Sequence, residues 1–199
     1  ILGDKLTGEK YFDQEISLFV TLANDVAMAV KNAELIKDLT DAYEREHRLL
    51  IETASALVAA IEARDRYTKG HSERVSHYSL VVAAEMIEKG VVPYSREFLE
   101  STELSGLLHD VGKIAIPDYI LNKPGKHDAD EWAIMRTHAE VGHQILQKSQ
   151  NEILQYGAVI AHEHHERWDG QGYPQGLKGE EIHIAGRITA LADVFDALA

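Results

Sequence analysis

Apolar side chains recur every three or four positions from Gln14 onward, which is the spacing of one face of an α-helix. The series is Ile16, Phe19, Ala23, Val26, Val30 and Ala33. From Asp4 to Gly70 the chain contains no proline and, apart from Gly8, no glycine between those ends. We therefore expect one helix that continues to about Arg64.

In its second half the same segment shows an average apolar spacing of 3.5 residues, which is typical of helices that pair side by side. The positions are Tyr43, Leu50, Ala54, Leu57 and Ile61, with the polar residues Thr40 and His47 between them. We expect a linker helix that joins two copies of the chain in a homodimer. The alternative is a pair of separate helices with a break near residues 38–45.

The remaining pattern predicts five shorter helices and no sheet, so the fold class is all-α with a long linker helix in front. We expect helices at 71–89, from Ser95 to the His109–Asp110 pair, from Asp128 or Asp130 through Ile145, at 152–166, and from Glu180–Glu181 onward. Gly90 with Pro93 ends the first of these, and Ser95 is suited to cap the second. A short strand near residues 1–12 is also compatible with the pattern.

Composition narrows the classes of function. The 199 residues suffice for one domain with a core and an appended segment. A net charge of −13 argues against binding to a nucleic-acid polymer. No apolar run approaches the roughly 20 residues of a membrane span, and no signal peptide is visible, so we expect a cytoplasmic protein. The chain begins at Ile1 rather than Met, so its start gives no evidence about what precedes it.

The candidate chemistry lies in the stretch from Leu107 to Pro117. His109 and Asp110 end an apolar helical run, and Lys113 follows one turn later, where it is suited to hold a phosphate. The chain has 11 histidines and no cysteine, so any metal site must use His, Asp or Glu. Asp193 lies on an apolar helix face, where a carboxylate is costly unless it is paired or bound to metal.

Several motifs together resemble the HD-GYP family, whose all-helical domains belong to the HD phosphohydrolase superfamily. They are His109-Asp110-Val111-Gly112-Lys113 and His164-His165-Glu166-Arg167-Trp168-Asp169-Gly170-Gln171-Gly172-Tyr173-Pro174, with support from Gly70-His71-Ser72-Glu73-Arg74-Val75 and Ala192-Asp193-Val194-Phe195-Asp196-Ala197-Leu198. The resemblance implies hydrolysis of cyclic di-GMP, a bacterial second messenger, to linear pGpG and/or GMP. The alternatives are action on another cyclic dinucleotide, cyclic GMP-AMP, and a noncatalytic module for nucleotide binding or dimerisation.

The resemblance also implies the site residues. The implied metal ligands are His71, His109, Asp110, His138, His164, His165 and Asp193. Asp110 would bridge two metal ions and Lys113 would contact the scissile phosphate, which makes these two the expected catalytic residues. Asp169, Gly172, Tyr173 and Pro174 would shape the mouth of the substrate pocket; the alternative for this loop is a rigid turn. We expect structural or surface roles for His47, His77, His127, His143, His162 and His183.

Two departures from the family pattern matter. Some members carry a Glu four residues before the first helical histidine, where it joins a third metal; here that residue is Tyr67, which favours two metals. The resemblance favours iron or manganese, while zinc and nickel fit the same ligands. The family also continues beyond the final Asp-Ala-Leu, whereas this chain stops at Ala199.

A second resemblance, at the start of the chain, predicts the domain organisation. Residues 8–35 resemble the last segment of a GAF sensor domain, through Gly8-Glu9-Lys10-Tyr11-Phe12 and the helix that follows. We therefore expect residues 1–45 to be the end of a GAF-like domain with the linker helix. Residues 46–199 are then an HD-GYP domain that is incomplete at its C-terminus.

Overall fold

A computed structural model describes residues 5, 7–65 and 69–199. These residues form helices and no strand, so the all-α prediction is confirmed. The α-helices are α1 (Asp13–Glu62), α2 (His71–Glu88), α3 (Arg96–Leu108), α4 (Asp118–Leu121), α5 (Ala129–Leu146), α6 (Glu152–Glu163) and α7 (Ile184–Leu198). Two 3₁₀ helices span Val111–Ala115 and Gly179–Glu181. The proposed strand near residues 1–12 is absent from the described part of that segment, and its remainder lies outside the described residues.

Helix α1 runs without interruption over 50 residues, so the alternative with a break near residues 38–45 is wrong. Contacts divide the chain into two units after Leu50, and α1 contributes to both. In the first unit the apolar side chains of α1 are exposed, as for Leu39 and Tyr43. In the second unit Ala54 and Ile61 are buried, so these two positions of the 3.5-residue series belong to the core of their own chain.

The second unit is a bundle in which α3 is central. It packs against α2 and α6, while α5 packs against α6 and the first 3₁₀ helix, and α7 packs against α2. Deeply buried apolar side chains come from α2 to α7 and from the residues that follow the two 3₁₀ helices: Val75, Leu104, Ile116, Ile120, Ala139, Ile160, Ile182 and Ile188. The apolar stripe of each helix thus faces one shared interior.

Two predicted caps are present at helix starts. The Ser95 hydroxyl accepts a hydrogen bond from the Phe98 N–H at 3.1 Å, and Asp128, rather than Asp130, caps α5. The Asp128 carboxylate accepts from the Glu131 N–H at 2.9 Å, and the Glu131 carboxylate accepts from the Asp128 N–H at 2.9 Å. This reciprocal arrangement satisfies two N–H groups that a helix start leaves free.

Two predicted boundaries were wrong, and both matter for the site. Helix α6 ends at Glu163 rather than near residue 166, and α7 begins at Ile184 rather than at Glu180–Glu181. The His183 ring accepts from the Ala185 N–H at 3.3 Å, and the Glu163 carboxylate accepts from the His183 N–H at 2.6 Å. These side-chain contacts compete with continued helix and separate the 3₁₀ turn at Gly179–Glu181 from α7.

Within the described residues, no helix combines the length and the apolar character that crossing a bilayer requires.

Candidate metal centre

Two groups of possible metal ligands lie in the second unit. The first group is Asp110, His138, His164 and His165, and the second group is His71, His109 and Asp193. Within each group the candidate ligand atoms all lie within 4.8 Å of one another. The structure therefore brings together all seven residues that the resemblance implied, from five different parts of the bundle.

Backbone carbonyls orient three of the imidazoles. The Nδ1 atom of His109 lies 2.7 Å from the Gly106 carbonyl oxygen, that of His138 lies 2.7 Å from Met135 O, and that of His164 lies 3.0 Å from Ala161 O. A carbonyl only accepts, so each Nδ1 carries the proton and donates it. When such a ring is neutral, its Nε2 atom carries a free lone pair, the arrangement typical of metal-binding histidines.

These lone pairs point at one another. His138 Nε2 lies 3.3 Å from His164 Nε2 and 3.1 Å from His165 Nε2. Since Nδ1 of both His138 and His164 is a donor, their Nε2 atoms meet as two acceptors, which repel unless a cation lies between them. His109 Nε2 is also buried and makes no hydrogen bond to the described residues. The residues present therefore fit a bound metal ion.

Asp110 lies between the two groups and presents one carboxylate oxygen to each. Its Oδ1 is 3.4 Å from His138 Nε2 and 3.8 Å from His164 Nε2, both in the first group. Its Oδ2 is 3.3 Å from His109 Nε2 in the second group. A carboxylate placed in this way is suited to bridge two metal ions.

A glycine brings Asp110 to this position. A Cβ atom at Gly112 would lie 1.9 Å from the His138 carbonyl oxygen and 2.6 Å from the Gly142 N, both on α5. Only a residue without a side chain allows the first 3₁₀ helix to pack so closely on α5. The glycine of the His-Asp-Val-Gly-Lys stretch is thus required for the approach of Asp110 to His138.

Lys113 is held beside the bridging carboxylate. Its ammonium lies 2.7 Å from Asp110 Oδ2 and 3.6 Å from Asp65 Oδ2. Burial lowers the pKa of Lys113, but the charge and hydrogen bond of Asp110 together with the charges of Asp65 and Asp193 outweigh burial, so the net shift of the pKa is upward. Lys113 is therefore a fixed positive charge at the edge of the cluster.

The pKa directions separate the two groups. Burial lowers the pKa of His138, takes that of His164 well below its usual value, and lowers that of His165 to about 4. In the second group burial also lowers the pKa of His71, but hydrogen bonds to Asp193 and Asp196 and the charge of Asp110 together outweigh burial and raise the pKa to about 9. Burial likewise lowers the pKa of His109, and the nearby carboxylates, Asp110 first, leave that pKa raised. The first group is thus neutral imidazole ready to bind, whereas a metal in the second group must displace a proton.

The loop at residues 169–174 contacts this cluster at His165. The ring of Tyr173 stacks on the His165 imidazole, with centroids 4.7 Å apart and an angle of 29° between the planes. Gly172 packs against the preceding turn, where a Cβ atom would lie 2.4 Å from the Arg167 N. Asp169 is exposed and pairs with Arg167 at 2.7 Å, and Pro174 is also exposed. Of the four predicted pocket residues, Tyr173 contacts the ring of a ligand candidate, and Gly172 packs against the backbone of the same residue, where a Cβ atom would lie 2.6 Å from the His165 carbonyl oxygen.

An HD domain profile matches residues 58–199, which include all seven ligand candidates. The chain belongs to the HD domain family. The family assignment agrees with the structure, because the His-Asp pair that characterises the sequence lies at the centre of the ligand cluster.

Curated relatives of this HD domain chain are named as cyclic dinucleotide phosphodiesterases. The 3'3'-cGAMP-specific phosphodiesterase 2 of Vibrio cholerae is 42% identical over 192 residues, covering 94% of this chain and 34% of the relative. The cyclic di-GMP phosphodiesterase response regulator RpfG of Xanthomonas campestris is 46% identical, covering 82% and 41%. A cyclic di-GMP phosphodiesterase of Thermotoga maritima is 47% identical, covering 75% and 39%. The chain thus spans between a third and about two-fifths of each relative's length.

A solved structure shares the fold. An HDG"Y"P protein from Bdellovibrio bacteriovorus superposes with a TM-score of 0.55 at 22% identity, covering 77% of this chain and 52% of that chain. This likeness concerns the fold alone. Together with the HD domain match and the named relatives, it confirms the HD-GYP resemblance; the GAF resemblance of the first residues stays a prediction.

Two acidic residues of the HD domain were missed by the sequence reasoning. Asp196 Oδ2 lies 2.7 Å from His71 Nδ1, and the same carboxylate accepts from Arg74 at 2.7 and 2.9 Å. It therefore orients His71, as an outer carboxylate does for a metal-binding histidine. Its spacing of three residues from Asp193, on one helix face, was the signal available in the sequence.

Glu166 is the second missed residue. Its buried carboxylate accepts from the N–H groups of Gln175, Gly176 and Leu177 at 2.6, 3.0 and 3.0 Å. A buried charge satisfied by three backbone donors fixes the conformation of the chain that supplies them. Glu166 thus anchors the loop that carries Tyr173 to the turn that carries His165.

The histidines outside the two groups have other partners in the part of the chain that the structure describes. His127 contacts the Ile120 carbonyl oxygen at 2.8 Å, and His183 caps α7. His143 and His162 stack on each other with centroids 4.5 Å apart. None of these belongs to either ligand group.

The prediction of two metals rather than three was based on Tyr67. This residue lies outside the described residues.

Proposed function

We propose that this HD domain chain is the hydrolytic part of a metal-dependent phosphodiesterase that acts on a cyclic dinucleotide. The observation that supports the proposal most is the position of Asp110, with one oxygen toward each ligand group. The names of three relatives at 42%, 46% and 47% identity supply the substrate class.

The ligand set is proposed to hold two divalent metal ions, with Asp110, His138, His164 and His165 at one and Asp110, His71, His109 and Asp193 at the other. Bound there, two metal ions would lower the pKa of a water molecule and offset the negative charge of a phosphodiester. We favour iron or manganese, with zinc and nickel as alternatives that fit nitrogen and oxygen ligands equally.

The chain's own residues would prepare the site for this chemistry. The three backbone carbonyls hold the imidazoles in one tautomer before any ion arrives, so little rearrangement is needed on binding. Lys113 supplies a charge suited to a phosphate oxygen of the scissile bond. Tyr173, held by the loop at residues 169–174, would limit access from the side of His165. Asp169, Gly172 and Pro174 are proposed to shape the outer rim.

Cyclic di-GMP is the proposed substrate, with linear pGpG and/or GMP as products. Cyclic GMP-AMP is a second candidate because the relative that covers 94% of this chain is named for it. A noncatalytic binding module is the weaker alternative. It would gain nothing from burying several facing imidazole lone pairs, an arrangement that is costly without a cation.

We also infer the organisation around this domain. The boundary is placed at residues 45/46, between the linker segment and the HD domain; the division into units after Leu50 and the family match from residue 58 support a boundary in this region. The substrate would be a bacterial second messenger, so we infer a cytoplasmic location.

A homodimer through α1 is proposed as well. The proposed contact runs through Tyr43, Leu50 and Leu57 of the 3.5-residue series. Its support is that Tyr43 and Leu57 are exposed and Leu50 is half-buried, on an uninterrupted helix. Light scattering of a protein that retains α1 should give twice the chain mass. A monomer at high concentration would contradict the proposal.

The activity is tested on the full-length protein that contains this chain. The protein is stripped of metal, reloaded without oxygen with Fe²⁺ or Mn²⁺, and incubated separately with cyclic di-GMP and cyclic GMP-AMP, and the products are separated by chromatography. We expect hydrolysis of at least one substrate only after reloading. A protein that holds two metal ions per chain and hydrolyses neither would contradict the proposed function.

A further inference from the structure

Arg136 is a cation near the ligand cluster. It lies on α5, two residues before His138, and its side chain is exposed. Its guanidinium carbon is 4.9 Å from the ring centroid of Tyr173, the residue that stacks on His165. One aromatic ring therefore separates Arg136 from a proposed metal ligand.

A second ring also holds this guanidinium. Trp132 lies one turn earlier on α5, and its ring centroid is 5.5 Å from the Arg136 guanidinium carbon. Contacts between a guanidinium and aromatic rings at these distances are favourable and leave its N–H groups free for other partners. Arg136 is thus placed by two rings without its donors being consumed.

Four other arginines of the bundle pair with carboxylates: Arg64 with Asp118 at 2.8 Å, Arg74 with Asp196 at 2.7 Å, Arg96 with Glu100 at 2.6 Å and Arg167 with Asp169 at 2.7 Å. Arg187 lies over the Trp168 ring, with its guanidinium carbon 5.7 Å from the centroid, and Trp168 makes no ring contact with a ligand candidate among the described residues. Among the described residues, no carboxylate lies within ion-pair distance of Arg136. The chain has a net charge of −13, so most of its surface repels anions. An arginine beside the cluster without a carboxylate partner is therefore available to bind an anion.

A cyclic dinucleotide contains two phosphodiester groups, and one hydrolytic step cleaves only one of them. The proposed metal ions and Lys113 face the phosphate that is cleaved. The second phosphate carries a full charge into a strongly acidic protein and needs a partner of its own. Guanidinium groups bind phosphate oxygens through paired N–H donors, which makes Arg136 suited to that task.

We infer that Arg136 binds the phosphate that is not hydrolysed, and that Trp132 and Tyr173 hold its guanidinium ready to do so. The inference rests on the proposed function and deepens it. It assigns Arg136 to substrate affinity rather than to the chemical step. Tyr173 then acts as a positioning residue that connects the cleaved and the uncleaved phosphate.

The test compares two substrates in the metal-loaded full-length protein. Cyclic di-GMP has the second phosphate, whereas bis(p-nitrophenyl) phosphate is a single phosphodiester without one. For Arg136→Ala we expect the KM for cyclic di-GMP to rise at least about tenfold, the value of one lost charge-assisted contact. Its kcat, its metal content and its KM for bis(p-nitrophenyl) phosphate should stay close to the wild-type values.

Two further variants sharpen the result. Arg136→Lys keeps the charge but loses the planar pair of donors, so its KM should lie between those of the wild type and Arg136→Ala. Lys148→Ala is the control for loss of one positive charge, because Lys148 is exposed and lies just beyond the far end of α5. It should leave both KM values unchanged.

The KM for cyclic di-GMP should also depend less on the salt concentration in Arg136→Ala than in the wild type.

The outcomes separate the inference from the proposed function. If the wild type hydrolyses bis(p-nitrophenyl) phosphate but no cyclic dinucleotide, the proposed substrate is wrong and the inference is wrong with it. If the wild type hydrolyses cyclic di-GMP and Arg136→Ala does so with the same KM, only the inference is overturned. Equal losses on both substrates with loss of metal would also overturn it, since Arg136 would then be structural. So would an unchanged salt dependence, which is the result of a contact to a base.

Discussion

Two histidine clusters on neighbouring surfaces of α5 and α6 show what distinguishes a ligand from a structural residue. In the first group the rings of His138 and His164 are 5.3 Å apart, and in the peripheral pair, His143 and His162, they are 4.5 Å apart. Each cluster also includes a carboxylate, Asp110 in one and Glu140 in the other. Proximity and composition therefore do not separate the two.

The direction of the nitrogens does separate them. In the peripheral pair, His143 directs Nδ1 toward the Ala158 carbonyl oxygen at 3.1 Å, as His138 and His164 do toward theirs. Its neighbour His162 uses Nε2 toward Glu140 at 2.8 Å and Nδ1 toward the Gln175 side chain at 3.1 Å, so both nitrogens of that ring have protein partners. In the first group, Nδ1 of His138 and His164 is committed to the backbone and Nε2 faces other Nε2 atoms. In the first group a ligand candidate is thus distinguished by an Nε2 lone pair that faces other ligand candidates rather than the surrounding protein.

The largest effect is expected at the residue shared by both ligand groups. Asp110→Asn should lower both metal content and turnover of cyclic di-GMP, the latter by at least about 100-fold, because a neutral amide weakens two sites at once. Helical circular dichroism should be largely retained. The paired variant Lys113→Ala should keep its metal and lose turnover, since Lys113 contacts no ion in this account. Near-normal metal and activity in Asp110→Asn would show that the carboxylate merely ends a helix.

A smaller but more selective effect should distinguish the two histidine clusters. His164→Ala should reduce the bound metal from about two ions per chain toward one, because it removes a ligand from only the first group. His143→Ala should retain both ions and normal turnover. Elemental analysis of the two purified variants makes the comparison. Metal loss in His143→Ala, or full metal in His164→Ala, would remove the distinction drawn here.

The smallest effect concerns a residue that contacts a ligand without being one. Asp196→Asn should weaken metal binding roughly 10- to 100-fold, as for other outer carboxylates of ligating histidines. Asp118→Asn is its matched control, because Asp118 also pairs with an arginine, Arg64, but contacts no ligand candidate in the described structure. Metal titrations of both variants should differ clearly. Equal affinities would mean that His71 needs no partner at Nδ1.

Much of this organisation could be predicted because it is local. Helix spacing, glycine and proline stops and the caps at Ser95 and Asp128 depend on neighbouring residues alone. The quoted motifs then contain six of the seven ligand candidates, although these lie on separate elements, and His138 was added by the family resemblance. The motifs supplied this information through resemblance, since no spacing in the sequence shows that α6 ends beside the first 3₁₀ helix.

What could not be predicted depends on contacts between distant elements. The start of α7 was misplaced because Glu163, twenty residues earlier, accepts the His183 N–H. Glu166 and Asp196 stood inside quoted motifs, yet their roles are visible only from the groups they contact. Arg136 looked like an ordinary exposed residue of α5 until the loop placed Tyr173 beside it.

The central claim is that one carboxylate joins two metal sites, and anomalous diffraction tests it most directly. Crystals of the full-length protein loaded with Mn²⁺ or Fe²⁺ should show two peaks per chain at full occupancy. One is expected among His138, His164 and His165, the other among His71, His109 and Asp193, with an Asp110 oxygen at each. A single peak, a third peak at full occupancy, or a peak at His143 and His162 would contradict the account.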